Sequence, residues 1–361
     1  MLHPPFSTID KFMLEFLADL GSFAAKAAII VIAFGMLVAI IAANRKSQQE
    51  HTSGKLVITD LGRRLREQQR QMLTDMNHKP RLKQLKKQRK EAAKSDKARS
   101  KKQPGARPTT YVIDFNGDIR ASQTTALSHK ITALLQLANP KQDQAVIRLE
   151  SAGGLVHAYG LAAAQLERLK QQGIHCTICI DKLAASGGYM MACIATQIVA
   201  APFALVGSIG VVAQLPNFHR LLQRWEVDIE QHTAGKFKRT LTALGKNTPE
   251  GRRKFKQDIE RTHKLFQDLV KEHRPQLALT KVATGEIWYG REALKLKLVD
   301  EINTSSALLL AQCAKGDVFL LDYKEKRSLS QRLQNASTGV LENLLLRAQQ
   351  RDYEQRLINQ L

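Results

Sequence analysis

From Tyr111 onward the chain alternates short runs of apolar residues with stretches of helical spacing. Tyr111–Phe115, Ala145–Leu149, Ile174–Ile180 and Gln197–Ala200 read as strands, and Gly207–Ala213 as a further one. Between them, Ala126–Leu137 and Leu155–Gln171 carry their apolar residues at helical intervals. Pro249–His273 reads as a longer amphipathic helix with Phe255, Ile259, Phe266 and Val270 on one face. Strands alternating with helices predict a mostly parallel sheet in an α/β domain.

The flanks are patterned differently. Ala27–Ala43 is apolar and uncharged, and Gly21–Ala25 extends the run across Lys26, whose long side chain can snorkel. The whole approaches the roughly 20 apolar residues that span a bilayer. The region before it carries Asp10, Glu15 and Asp19, unlike the basic start of a cleaved signal peptide. The expected organisation is an N-terminal tail over 1–20 and a transmembrane anchor over 21–44. A basic low-complexity linker over 45–108, a globular domain over 109–325 and a C-terminal helical extension over 326–361 follow.

Charge refines that picture. The chain has 361 residues and a net charge of +22, and Arg63–Lys102 alone carries +12 of it. That stretch lacks aromatic side chains on which bases could stack, so it is expected to meet anionic lipid or to be simply a solvated linker, and not to bind a specific nucleic acid. Arg45, Lys46 and Lys55 after the apolar run, by the positive-inside rule, favour a cytoplasmic domain.

Cys176 and Cys179 form a C-x-x-C spacing. They fall within a strand, where residues three apart point to opposite faces, and no second pair or histidine set accompanies them. No metal or cofactor is expected.

Glycine-containing turns follow the predicted strands, where α/β folds gather their sites. Glu150-Ser151-Ala152-Gly153-Gly154 can turn backbone N–H groups toward an anion, or simply close a tight turn. Ala184-Ala185-Ser186-Gly187-Gly188 exposes a hydroxyl at a helix start, with the Gly187 N–H beside it. By itself, Ser186 could be only a helix N-cap, the commoner role for a serine. A serine nucleophile needs a base. No histidine, His157, His175, His219 and His232 included, lies in a triad pattern. A neutral lysine is the other choice, and its ordinary pKa of about 10.4 must be lowered by desolvation or by neighbouring cations. Gly235-Lys236-Phe237-Lys238-Arg239 gathers three cations beside an aromatic ring.

These segments, with Val206-Gly207-Ser208-Ile209-Gly210-Val211, Gly285–Arg291 and Leu298-Val299-Asp300, occur in the order of the motifs of the signal peptide peptidase A (protease IV) family, which 111–302 resembles. The resemblance is greatest to the family's short inner-membrane members. It implies a ClpP/crotonase-like spiral of β-β-α units behind an N-terminal transmembrane helix. It implies a Ser/Lys dyad of Ser186 and Lys238, with Lys236 the nearby competitor, and oxyanion N–H groups from Gly154 and Gly187. Gly153 and Ser208 take supporting roles. It also implies a homo-oligomer in which neighbouring subunits can share the dyad. Finally, it implies a periplasmic domain on a single-pass inner-membrane anchor, opposite to the charge rule. This sequence has Ala152 where the family usually has proline, and Lys297 where glycine is common.

The expected function is therefore a membrane-anchored serine endopeptidase acting on extended peptides, such as signal-peptide remnants or misfolded segments. The alternatives are a crotonase-like acyl-CoA enzyme, which has no need of Ser186, and a non-catalytic membrane scaffold built on the basic linker.

Overall fold

The computed structural model describes residues 54–102 and 107–324. The expected anchor over 21–44 and the C-terminal extension over 326–361 lie outside them. No helix among the described residues is long and apolar enough to cross a membrane.

Among the described residues, ten strands form one sheet: β1 (Lys55–Asp60), β2 (Thr109–Gly117), β3 (Gln144–Ser151), β4 (His175–Ile180), β5 (Leu183–Ala185), β6 (Gln197–Ala200), β7 (Leu205–Gly207), β8 (Ile287–Tyr289), β9 (Glu301–Ile302) and β10 (Asp317–Lys324). The main path runs β1-β10-β2-β3-β4-β6-β9, and every pairing from β10 to β9 is parallel. A side ladder leaves it at β3: β5 pairs with β3 and β7, and β8 closes antiparallel on β7. Thus β4 with β5, and β6 with β7, each place one strand in the main sheet and the next in the side ladder.

Period-two burial builds both faces of the sheet. Ile113, Phe115, Ile147, Leu149, Cys176, Ile178 and Ile198 point into the larger core. Val112, Val146, Cys179 and Val199 point into a smaller one on the other face. Cys176 and Cys179 accordingly sit in separate cores as free thiols, which excludes a joint redox or metal site. Burial pushes the thiols of Cys176, Cys179 and Cys193 up to about 12.

The larger core is roofed by helices α3 (Thr124–Leu137) and α4 (Val156–Gln171), which bury Leu127, Ile131 and Leu134, and Tyr159, Ala162, Leu166 and Leu169. Helix α5 (Gly187–Ala192) is wholly buried. The predicted helix over Pro249–His273 is α7, counting a short α6 (His219–Arg224) before it. Thr248 caps its start by accepting the Gly251 N–H at 3.1 Å, with Pro249 in the first turn. At its end, Arg274 is buried and makes two hydrogen bonds to Asp300, at 2.8 and 2.6 Å. Asp300 also accepts the Ile198 N–H of β6 at 2.8 Å, and Tyr189 of α5 donates to the Leu298 carbonyl at 2.9 Å. The Leu298-Val299-Asp300 motif therefore ties α7, β6 and α5 together.

Two stretches differ from the sequence expectation. The span read as a linker forms, over 55–102, strand β1 and helices α1 (Leu61–Asp75) and α2 (Lys79–Lys102). Asp60 caps α1 by accepting the Arg63 N–H at 2.7 Å, and Leu61 packs on the smaller core. The density of charge hides both helices in the sequence. The strand expected over Gly207–Ala213 ends at Gly207, because Gly207 and Ser208 adopt φ of 115° and 52°, outside the extended region.

Candidate active site

Three turns meet at the C-terminal ends of β3, β5 and β7. Parallel pairing sets Ser151 beside Ala184 and Ala185 beside Gly207, so the segments after each strand emerge side by side. The Ser186 N–H donates to the Gly207 carbonyl at 2.8 Å, which locks the second turn to the third.

Ser186 itself is strained. It adopts φ 52° and ψ −117°, which a residue with a side chain rarely does. It stands at the N-cap position of α5 yet makes no side-chain capping hydrogen bond, so the N-cap reading fails. Its half-buried side chain lines a narrow pocket with Gly154, Val156, Gly187, Met190, Val211 and Phe266.

The glycines around it are demanded by space. At Gly153, with φ 90°, a Cβ atom would stand 2.6 Å from the Gly187 nitrogen and 2.8 Å from the Ser186 Cβ. At Gly187 a Cβ would stand 2.4 Å from the Tyr159 ring. Among the described residues, neither the Gly154 nor the Gly187 N–H has an acceptor, whereas the Gly153 N–H donates to Ser151 Oγ at 3.0 Å. Gly154 and Gly187 line the pocket that holds a strained, uncapped serine, and N–H groups without an internal acceptor suit an oxyanion.

Ser208 follows Gly207 directly, shares the φ of 52° and donates its N–H to the Glu286 carbonyl at 2.6 Å. It does not line the Ser186 pocket. Lys238 lies on an exposed segment and also does not line the pocket. Its ammonium has no hydrogen bond or ion pair among the described residues; only its backbone N–H is engaged, by the Gly235 carbonyl at 3.1 Å. Lys236, its competitor, pairs with Glu250 at 2.8 Å. Lys236 and Lys254 flank the Phe237 ring at 5.3 and 5.7 Å, so Lys238 follows a cluster of cations. The single chain thus assembles Ser186, Gly153, Gly154 and Gly187, and leaves Lys238 in solvent. No cluster of metal-ligating side chains occurs among the described residues.

The sequence reading missed Tyr159 and the hydroxyl of Ser151, which stand behind the Gly153 turn. Tyr159 lies in a helix whose spacing marks it only as core.

A model of the peptidase family S49 N-terminal region matches residues 15–166, and that of peptidase family S49 matches 168–317. Probable protease SohB of Haemophilus influenzae is 56% identical over 219 residues, 61% of this chain and 62% of that protein, so the match spans less than two thirds of the relative. Probable protease SohB of Buchnera aphidicola subsp. Acyrthosiphon pisum is 47% identical over 237 residues, 66% of this chain and 70% of that protein. Among solved structures, a 1510-N membrane-bound stomatin-specific protease in complex with a substrate peptide has a TM-score of 0.41 at 16% identity, covering 65% of this chain and 99% of that one. The chain belongs to peptidase family S49.

Proposed function

We propose that the protein is a serine endopeptidase in which Ser186 is the nucleophile and Lys238 the general base. The observation that carries the reading is the strained, uncapped Ser186 in a pocket lined also by Gly154 and Gly187, whose N–H groups have no acceptor among the described residues. In the first step a neutral Lys238 amine takes the Ser186 proton as Oγ attacks the peptide carbonyl carbon. The oxyanion is held by the Gly154 and Gly187 N–H groups. Collapse breaks the C–N bond, and the lysine proton goes to the departing amine. Water, losing a proton to Lys238, then hydrolyses the acyl-enzyme.

In this reading the Lys238 amine is shielded from water when it acts as the base. The segment around it is apolar and exposed: Phe218, Val227, Ile229 and Phe237 face solvent, as does Trp225 at 65% exposure. A second copy seated on this segment would cover those side chains and dry the amine. This supports a homo-oligomer in which neighbouring subunits share the dyad. The alternating course of β4–β5 and β6–β7 supports a spiral of the ClpP/crotonase kind.

The natural setting in this reading is a single-pass inner-membrane anchor over 21–44, with the catalytic domain periplasmic. Extended peptides, such as signal-peptide remnants or misfolded segments, are the substrates. Helix α2 carries +10 within its 24 residues, which suits it to lie against anionic lipid. An acyl-CoA enzyme on the same frame has no use for the Ser186 hydroxyl. Cleavage of a fluorogenic peptide by wild type and by Ser186→Ala therefore separates the readings: the peptidase loses turnover in the variant, and unchanged turnover discards it.

A further inference from the structure

We infer that Tyr159, acting with Ser151 and the Asp118–Ile119 loop, is a positioning residue that fixes the Gly153–Gly154 turn for oxyanion binding. The role rests on the peptidase reading above.

Tyr159 is fully buried in the first turn of α4, and Ser151 is 2% exposed at the end of β3. Three hydrogen bonds run through them. The Tyr159 hydroxyl donates to the Asp118 carbonyl at 2.7 Å. With that proton committed, the 2.6 Å contact between the two hydroxyls requires Ser151 to be the donor. The Ser151 oxygen in turn accepts the Gly153 N–H at 3.0 Å. Only one direction of donation satisfies all three. Burial raises the Tyr159 phenol above its ordinary pKa, so it remains a neutral donor.

This chain decides which glycine can serve the oxyanion. The Gly153 N–H is consumed internally, and Gly154 is left as the N–H of the turn without an acceptor among the described residues. A second arm holds Gly154 from behind. The Leu155 N–H donates to the Ile119 carbonyl at 2.8 Å, and a Cβ at Gly154 would stand 2.1 Å from that carbonyl oxygen. The Tyr159 ring also fills the space against Gly187, so one side chain abuts both proposed oxyanion donors' turns. Any buried phenol needs a partner; what marks this one is that its bonds run through Ser151 to the Gly153 N–H.

Tyr159→Phe keeps the ring and deletes the two bonds of the hydroxyl. Ser151→Ala deletes the link to Gly153. Either change should lower kcat for a fluorogenic peptide about 10-fold or more while KM stays within about 2-fold, since an oxyanion donor acts in the transition state. Affinity for a peptide boronate, which forms a tetrahedral adduct on the nucleophilic serine, should fall by the same factor as kcat/KM. The double variant should lose no more than either single, because the bonds form one unit. Unchanged kcat in folded Tyr159→Phe or Ser151→Ala, equal losses in KM and kcat, or additive losses in the double variant would overturn the inference. If Tyr159→Phe fails to fold, Ser151→Ala decides alone. Wild type that neither cleaves the peptide nor binds the boronate sinks the peptidase reading itself, and that result is distinct from wild-type activity with indifferent variants.

Discussion

Lys236 and Glu250 form an ion pair at 2.8 Å, and the hydrogen bond from that ammonium holds the Glu250 carboxyl below its ordinary pKa. That pairing engages the Lys236 ammonium with a carboxylate. Lys238, two residues on, has no such partner among the described residues. The proposed base is the lysine of the two that has no carboxylate partner among the described residues.

Single substitutions at the two lysines should separate them. Lys236→Ala should keep peptide turnover within about 3-fold, as expected for an exposed pair. Lys238→Ala should lose at least about 100-fold in kcat, the usual share of a general base. Steady-state kinetics on both variants checks this, and the reverse order would reassign the base to Lys236.

Gly187→Ala tests the crowding of the nucleophile turn. The added methyl would meet the buried Tyr159 ring at 2.4 Å, and the ring cannot swing away without breaking its bond to Asp118. The variant should unfold at lower urea concentration and lose turnover. Overpacking of this kind typically costs about 1–3 kcal/mol. Wild-type stability together with wild-type turnover would show that the turn is looser than described.

Activity should follow assembly. Trp225 is exposed in the middle of the apolar segment that leads to Lys238. Trp225→Glu should yield smaller particles by analytical ultracentrifugation and a matching loss of turnover. A dissociated variant with full activity would mean that Lys238 is desolvated within one subunit.

Thiol reactivity checks the reading of the C-x-x-C pair. Cys176, Cys179 and Cys193 are buried, with thiols pushed up to about 12, so the reactive thiolate is scarce at neutral pH. Iodoacetamide on the native protein should label half-buried Cys313 faster than those three. Rapid labelling of Cys176 and Cys179 together would revive a redox role.

Much of the molecule could be read from its residues, for physical reasons that also explain the misses. Val112 to Phe115 and Ala145 to Leu149 alternate between two apolar cores, and that alternation is visible in sequence. The amphipathic face and the Thr248–Pro249 start of α7 are equally plain. The apolar run after Gly207 looks like a strand, but positive φ at Gly207 and Ser208 ends it, and of those two residue types only the glycine hints at that. Helices α1 and α2 were masked by charge, since lysine and arginine suit helices and solvated linkers alike. At the site, the glycine turns are legible because space demands glycine there. The Tyr159–Asp118 bond spans 41 positions and depends on packing that no local pattern encodes. Lys297, standing where the family commonly has glycine, adopts φ 63°, so the departure carries backbone strain at a position suited to glycine.

The dyad itself is tested most directly by labelling with a fluorophosphonate probe, which requires a serine oxygen activated by a base. Wild type should label, and Ser186→Ala and Lys238→Ala, each shown to be folded by circular dichroism, should not. Labelling of Ser186→Ala at the wild-type rate would contradict the assignment of the nucleophile, and undiminished labelling of Lys238→Ala would contradict that of the base.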